Sequence, residues 1–364
     1  MRETLLKLFN TIQASLFPEL ESRLQTELTC KEKEFVEICC LCRIDEHIPE
    51  RHQMTGRPAR SRLNLFKAFV AKATYNLPET EDLIEMLIRN ATLRRLCGWE
   101  SASDVPSAPT FSRAFAEFAE SQLPQQIHAA MIKEHGVNRV IGHISRDSTA
   151  IKAREKAVVS DKTEEAKPLP NKRGRPRKGE ERLPEPTPME KQSARSLEEN
   201  LHELPKLCNF GCKKDSQGKT MFWKGYKLHV DGIDGDIPAS AILTSASVHD
   251  SQPSIPLAQM SAERFQNLYD LMDAAYDAKG IRGFSEKLGH VPVIDQNPRG
   301  GDKVEMDPAK ALRFNQRSSI ERIFSHLENH GLKNVRVRGW AKVFAHLMFG
   351  VLVVAANQLF QMLL

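Results

Sequence analysis

The chain has 364 residues, of which 40% are hydrophobic and 27% are charged, and its net charge is +5. These values are ordinary for a soluble protein with a sizeable buried core, and the length favours two or three domains over one. The positive surplus permits a polyanionic partner without requiring one, and the first 17 residues lack the long apolar run and cleavage site of a secretory signal peptide.

Residues 1–137 are predicted to form an all-helical domain. Apolar residues recur there at three- and four-residue spacing, which indicates amphipathic helices. One helix is expected over residues 79–96. The sequence SAPT at 107–110 predicts a second helix start, with Thr110 as the N-cap and phenylalanines as the apolar stripe that follows.

The pattern changes near residue 138. VIGHISRDSTAI at 140–151 is short and rich in β-branched residues, so it predicts a strand with Asp147 near its end. Residues 154–204 are polar and contain several prolines with almost no aromatic residues. They predict a basic, proline-rich insertion or linker that is disordered in isolation.

Regular elements resume within residues 205–340. Strands at 221–231 and 237–244 are predicted to form a hairpin, and LYDLMD at 268–273 is predicted to be a short buried strand that ends at Asp273. The other predicted elements are helices at 252–266, 277–288 and 308–329 and a strand at 290–294. Strands interleaved with helices predict an α/β core with a mixed sheet, built from residues 138–153 and 205–340.

Residues 341–364 are predicted to form an apolar helix that packs on this core. The segment is about as long as a membrane span. It contains His346, Asn357, Gln358 and Gln361, and its apolar residues repeat at helical spacing. A buried helix is therefore favoured over a membrane anchor, and no membrane partner is expected.

Three carboxylates, on Asp147, Asp273 and Glu321, occupy positions that favour one shared site. If the first and fourth predicted strands are neighbours, their ends bring the two aspartates close, and the late helix can place Glu321 beside them. Three hard oxygen ligands suit two Mg²⁺ ions, for which Mn²⁺ can substitute, and such ions promote attack on a phosphodiester. Any one of the three taken alone is better explained as a turn former or a helix cap.

Short sequence blocks in the second part of the chain follow one another in a recognisable order. They are RDSTAI at 146–151, WKGYKLH at 223–229, ASVHD at 246–250, MDAAYD at 272–277, RSSIE at 317–321 and VRVR at 335–338. In this order the blocks resemble those of the DDE transposases of bacterial insertion sequences, which have an RNase H-like catalytic core. The resemblance extends over residues 140–360 with gaps.

This resemblance implies an enzyme that cleaves the ends of an insertion sequence and joins them to target DNA. Asp147, Asp273 and Glu321 would hold the metal ions, and Arg317 would orient Glu321 or hold a phosphate. The implied partners are double-stranded DNA, at the terminal inverted repeats and at the target, and a second copy of the chain in a homodimer on DNA. The implied location is the bacterial cytoplasm, in association with the nucleoid.

The helix that carries Glu321 departs from the family pattern at two positions. Many relatives have Tyr, Arg, Glu and Lys at set spacing where this chain has Phe314, Arg317, Glu321 and Glu328. Phe314 lacks the hydroxyl and Glu328 reverses the charge, so neither residue matches the phosphate contacts that the resemblance implies at these positions. Arg317 and Glu321 are four residues apart and share a helix face, so a surface ion pair is the alternative to a functional role.

Basic residues outside the carboxylate blocks are predicted to contact DNA. KRGRPRK at 172–178 resembles an AT-hook, whose arginines enter the narrow minor groove, although a solvated basic linker explains it equally. The N-terminal region resembles the helical DNA-binding region of these transposases, with Arg113 near the start of a recognition helix, although a plain helical bundle is the alternative. The candidate contacts are Arg57, Arg113, Arg173, Arg175, Arg177, Lys178, Lys333, Arg336 and Arg338.

Two rival functions stay open at this point. One is a nuclease on the same fold that cleaves DNA without joining it, and the other is a transposase descendant that binds DNA without catalysis. His229 and His249 lie near the core blocks and are interpreted as packing or hydrogen-bonding residues. The seven cysteines are irregularly spaced and are interpreted as reduced thiols, and no second pair at ligand spacing completes a zinc site with Cys208 and Cys212.

Overall fold

The computed structural model describes residues 27–48, 60–136, 139–158, 187–214, 218–298, 301–302 and 304–363. Within the described residues up to 136, the regular elements are all helical, as predicted. They are α1 (Cys30–Leu41), α2 (Ile44–His47), α3 (Arg62–Thr74), α4 (Thr80–Arg89), α5 (Ala91–Leu96), a 3₁₀ turn (Ala102–Asp104), α6 (Ala108–Glu120) and α7 (Leu123–Gly136).

Two helix boundaries in this region differ from the sequence-based expectation. The helix predicted over residues 79–96 is broken at Asn90, whose backbone is extended and whose side chain accepts a hydrogen bond from an amide in the first turn of α5. Asn90 therefore ends α4 and caps α5. The cap predicted at Thr110 is wrong: Ser107 is the N-cap of α6, because Pro109 fits the first turn of a helix, where its missing amide is not needed.

The described strands form one mixed sheet. They are β1 (Val140–Lys152), β2 (Asn209–Lys214), β3 (Thr220–Ile233), β4 (Ile237–Ser245), β5 (Gln266–Met272) and β6 (Val291–Ile294), in the order β2-β3-β1-β5-β6, with β4 also paired to β3. β1 is antiparallel to β3 and parallel to β5. The predicted α/β class is confirmed, and the two aspartate-bearing strands are neighbours. β2 was not predicted.

Helices cover this sheet and separate its strands along the chain. They are α8 (Pro188–Ala194), α9 (Leu197–Glu203), α10 (Ser254–Ala262), α11 (Lys279–Lys287), α12 (Pro308–Phe314), α13 (Ser318–Leu327) and α14 (Trp340–Leu363). The single helix predicted over residues 308–329 is divided by a 3₁₀ turn at Asn315–Arg317 and ends before a π turn at Glu328–Leu332. This tighter turn brings Arg317 to the start of α13, beside the sheet.

The predicted linker over residues 154–204 is described only in part, and its last part is not an unstructured chain. Residues 187–204 contain α8 and α9, each of which begins at a capping box. The buried Asn200 side chain donates hydrogen bonds to the Gln192 carbonyl and to the Gln259 side chain, both at 2.9 Å. These bonds fix α9 to α8 and to α10, because a buried amide needs partners.

The C-terminal helix α14 lies in the centre of the molecule. By length and composition it could cross a membrane, but 78% of its apolar window is buried against the rest of the chain. One face joins Phe66, Phe69 and Phe115 of the N-terminal helices through Phe349. Another face packs with α13 on the sheet. Through this helix, one continuous core connects the N-terminal helices to the sheet.

Candidate active site

Asp147 and Asp273 come together because β1 and β5 run in parallel. The register pairs Arg146 with Met272, so the residues that follow, Asp147 and Asp273, lie at the same level of the sheet. The strand predicted over residues 140–151 is observed as β1, but Asp147 lies in its interior, five residues before Lys152, and not near its end. The pairing of β1 with β5 ends at Arg146, so no β5 residue pairs with Asp147. This leaves space for the Asp147 side chain.

A single guanidinium group lies between the two carboxylates. Arg317 Nη2 is 2.5 Å from Asp147 Oδ2 and 3.5 Å from Asp273 Oδ2. The Arg317 and Asp147 side chains are only 16% and 17% exposed, whereas Asp273 is 39% exposed. The two acidic groups therefore concentrate negative charge around one buried cation.

Backbone amides hold the other oxygen of each carboxylate. Asp147 Oδ1 accepts a hydrogen bond of 2.7 Å from the Ser148 amide, and Asp273 Oδ1 accepts one of 2.9 Å from the Ala275 amide. Burial raises the pKa of Asp147 above its ordinary value and Asp273 adds to the rise, while Arg317 and the Ser148 amide oppose it. The orientation of both carboxylates is thus fixed, with one oxygen of each directed at the cation.

Glu321 lies one helical turn beyond Arg317, and its side chain is exposed. Helix α13 is fixed to the sheet by Ser319 Oγ, which is 2.9 Å from Ser145 Oγ, and by the packing of Ile323 over Gly232. Over the described ranges, no group of three or more His, Cys, Asp or Glu side chains is arranged to hold a metal ion. The structure therefore brings Arg317 to the two aspartates but does not bring Glu321 into the cluster.

Tyr276 lies next to this cluster and was not singled out by the sequence. Its side chain is 1% exposed, and its hydroxyl has no hydrogen-bond partner among the described residues. Burial raises its pKa well above the ordinary value, and the charges of Asp147, Asp250 and Asp273 add to the rise. A buried, neutral hydroxyl is thus influenced by the charges of three carboxylates, and the MDAAYD block was the signal that could have identified it.

A third carboxylate, on Asp250, forms a network on the other face of β1. Asp250 Oδ1 accepts hydrogen bonds from Ser148 Oγ at 2.8 Å and from Lys227 Nζ at 3.0 Å. Burial acts to raise the pKa of Asp250, but Lys227, His229 and these bonds outweigh it, so the pKa is below its ordinary value. Because Ser148 follows Asp147, the network supports the strand beside the first aspartate.

Arg146, on the face of β1 opposite Asp147, is held in a fully buried ion pair. Its Nε and Nη2 atoms donate to the two carboxylate oxygens of Asp231, both at 2.7 Å. Ser254 and Ser261 complete the network. Such bidentate geometry joins β1 to β3 rigidly. Sequence inspection assigned no role to Arg146, although it belongs to the RDSTAI block.

The two histidines of the core blocks make structural contacts. His229 is buried, and its Nε2 atom is 2.9 Å from Thr244 Oγ1. Burial lowers the pKa of His229 to about 3, so its ring is neutral near pH 7. His249 Nδ1 is 2.8 Å from Ser251 Oγ. All seven cysteines are free, with Cys208 buried and Cys212 exposed.

The residues predicted to contact DNA fall into two groups. Arg57, Arg173, Arg175, Arg177 and Lys178 lie outside the described residues. Arg113 is exposed on α6 and donates to the Pro109 carbonyl at 3.2 Å, which leaves it at the surface. Beyond α13, Lys333 is paired with Glu328, Arg336 lies 3.7 Å from Glu79, and Arg338 is exposed.

Comparisons with known proteins give two matches. A family model described as a transposase DDE domain matches residues 138–355, and another described as a transposase domain matches residues 24–117. No curated protein and no solved structure matches the chain.

Proposed function

The chain belongs to the DDE transposase family of the insertion-sequence type, and from this premise we propose that it cleaves the ends of its element and joins them to target DNA. The substrates are double-stranded DNA at the terminal inverted repeats and at the target. The working form is a homodimer on DNA, in the bacterial cytoplasm and associated with the nucleoid. The observation that carries this proposal is the contact of Asp147 and Asp273 with one cationic group.

The residues present fit a divalent metal site in part. The guanidinium group of Arg317 lies between two carboxylates, a position that attracts a cation. Carboxylate oxygens are also the ligands that Mg²⁺ prefers. Glu321 lies on the same helix face as Arg317 and becomes the third ligand if its side chain turns from solvent. We therefore assign Asp147, Asp273 and Glu321 as ligands of two Mg²⁺ ions, for which Mn²⁺ can substitute.

The side chains of this site have distinct roles in the proposed reaction. Divalent ions held by these carboxylates would activate the attacking water or 3′-hydroxyl and would stabilise the leaving oxygen of the phosphodiester. Asp147 and Asp273 keep their orientation through the amides of Ser148 and Ala275. Arg317 exchanges its aspartate contacts for a non-bridging phosphate oxygen, a geometry that suits a guanidinium. Tyr276 keeps a neutral, buried hydroxyl near this site.

Replacement of Asp147 by alanine tests the assignment. Asp147→Ala should abolish cleavage of DNA that carries the inverted repeats, while binding to the same DNA is largely retained. Asp45→Ala is the control, because Asp45 is an exposed carboxylate on α2. Cleavage by Asp147→Ala at the rate of the control would show that the site lies elsewhere.

A strand-transfer assay separates transposition from simple cleavage. A pre-cleaved end with a free 3′-hydroxyl should be joined to a target plasmid by the unaltered chain in the presence of Mg²⁺. Cleavage without any joined product would instead identify a nuclease. End binding without cleavage or joining would identify a DNA-binding descendant.

A further inference from the structure

A cavity of about 520 Å³ opens where the N-terminal helices meet α14 and the segment that follows α13. Phe69, Phe115 and Phe349 form its buried apolar floor. The volume is in the range of small-molecule pockets, so it admits one local group of a ligand and not a duplex. The cavity lies outside the aspartate cluster, and its walls come from both of the regions that match transposase families.

Positive charge dominates the walls of this cavity. The lining cations are Lys72, Arg154, Arg336, Arg338 and Lys342. Within the described part of the chain, Glu81 is the acidic residue that lines the cavity, and Arg154, Arg338 and Lys342 form no ion pair with a described carboxylate. All three are exposed. Arg154 from one segment and Arg338 and Lys342 from another thus line the cavity without a described ion-pair partner, which makes the local potential positive and favours a bound anion.

Lys72 adds a cation deeper in the cavity. Its side chain is buried, and its Nζ atom donates to the Pro78 carbonyl at 3.1 Å. Burial lowers the pKa of Lys72 to about 8, although Asp82, Glu79 and Glu81 oppose the fall. The ammonium group therefore still carries charge near pH 7.

We infer that this cavity binds a backbone phosphate of the DNA that the active site cuts, an inference that rests on the proposed function. Arg154 lies seven residues after Asp147 and two residues after the end of β1, so Asp147 and Arg154 are at most roughly 23 Å apart along an extended chain. At 3.4 Å per step, this reach is about seven base pairs of duplex. A DNA end seated on Asp147 therefore has phosphates within reach of the cavity.

The same cations lie near two positions, one on each side of α13, that offer no phosphate-binding group. Phe314 and Glu328 cannot bind phosphate as a tyrosine and a lysine would. Arg336, Arg338 and Lys342 lie beyond that helix and face the N-terminal helices across the cavity. The phosphate contact is thus placed at the boundary between the N-terminal helices and the region that contains the sheet, outside α13.

Neutralising two cavity cations tests this inference. The double variant Arg338→Ala/Lys342→Ala is compared with Lys287→Ala, an exposed lysine on α11, which packs on β6 away from the cavity. Binding of the full chain to a 40-base-pair duplex is measured by fluorescence anisotropy over a range of KCl concentrations. Log K falls with log salt, and each lost phosphate contact makes this slope shallower by about 0.9. The slope of the double variant should therefore be shallower by between one and two units.

The loss should be equal on the element-end duplex and on a random duplex, because phosphate contacts carry no sequence information. Affinity at low salt should fall about tenfold or more, and Lys287→Ala should match the unaltered chain. An unchanged slope in the double variant would overturn the inference. The inference would also fail if binding of inorganic phosphate depended on these two residues while binding of DNA did not. If the unaltered chain neither binds nor cleaves the element ends, the proposed function fails instead.

Discussion

Replacing Arg317 with alanine tests whether Asp147 and Asp273 form a site for a cation. Loss of one partner from a fully buried ion pair costs about 3–5 kcal/mol, whereas a typical exposed pair contributes about 0–1 kcal/mol. Arg317 and Asp147 are 16% and 17% exposed, and Asp273 is more open. We therefore expect Arg317→Ala to lower the free energy of unfolding by about 2 kcal/mol, between these limits.

The effect of this substitution should depend on pH in a defined direction. Burial raises the pKa of Asp147 above 3.8, and Arg317 opposes the rise. A carboxyl with a higher pKa in the folded state binds more protons there, so its contribution to stability falls as the pH rises from 3.8 through the raised pKa. Loss of Arg317 raises that pKa further, so the destabilisation should be larger at pH 7 than at pH 4.

Urea titrations at both pH values, with and without Mg²⁺, measure these quantities. A cation that binds only the folded state stabilises it, so Mg²⁺ should restore most of the loss in Arg317→Ala at pH 7. Arg322→Ala is the control on the same helix, because Arg322 is 54% exposed and paired with Asp236. Equal losses in the two variants, or an equal response of both to Mg²⁺, would refute the reasoning.

Three further substitutions have defined outcomes. Phe349→Ala should lower the free energy of unfolding by about 3–5 kcal/mol, because its ring is 3% exposed among the phenylalanines of α3; a loss in urea titration no larger than that of the exposed Met221→Ala would contradict this packing. Tyr276→Phe removes a buried hydroxyl without a described partner, so the free energy of unfolding should stay unchanged or rise. A fall of more than about 1 kcal/mol would mean that the hydroxyl is bonded. Asn90→Ala should cost about 1 kcal/mol through the lost cap of α5, and Asn90→Ser should retain most of it; equal thermal stability of the two variants would argue against the cap.

The type and order of most elements could be predicted from the sequence, because periodicity and turn residues act locally. The helical character of the first part of the chain, the hairpin of β3 and β4, and the strands that carry Asp147 and Asp273 were all predicted. The missed break at Asn90 was also a local signal, since asparagine favours the cap position. β2 was not predicted in this way, because it is a short strand that is defined by its antiparallel pairing with β3.

The candidate site, too, was predictable from the sequence only in part. That Asp147 and Asp273 could meet followed from the sequence, since the pattern predicts one strand that contains Asp147 and another that ends at Asp273. The ion-pair partner of Arg317 could not be predicted from the sequence. Helical spacing suggested Glu321, four residues away, but the structure pairs Arg317 with Asp147, 170 residues away. A pair on an exposed helix face contributes only about 0.2–0.5 kcal/mol, so two carboxylates in a less hydrated site attract the guanidinium more strongly.

The placement of α14 shows the same division between sequence and tertiary structure. Its composition alone determined that the helix must be covered by apolar material, and the polar residues within it argued against lipid. Only the tertiary structure decided that the cover comes both from the sheet and from the N-terminal helices, which makes one core of the two regions. Hydrophobic burial is non-directional, so a sequence can specify that a face is buried without specifying the partner. The basic cavity at this boundary arises from the same packing, because its cations lie on segments far apart in the chain.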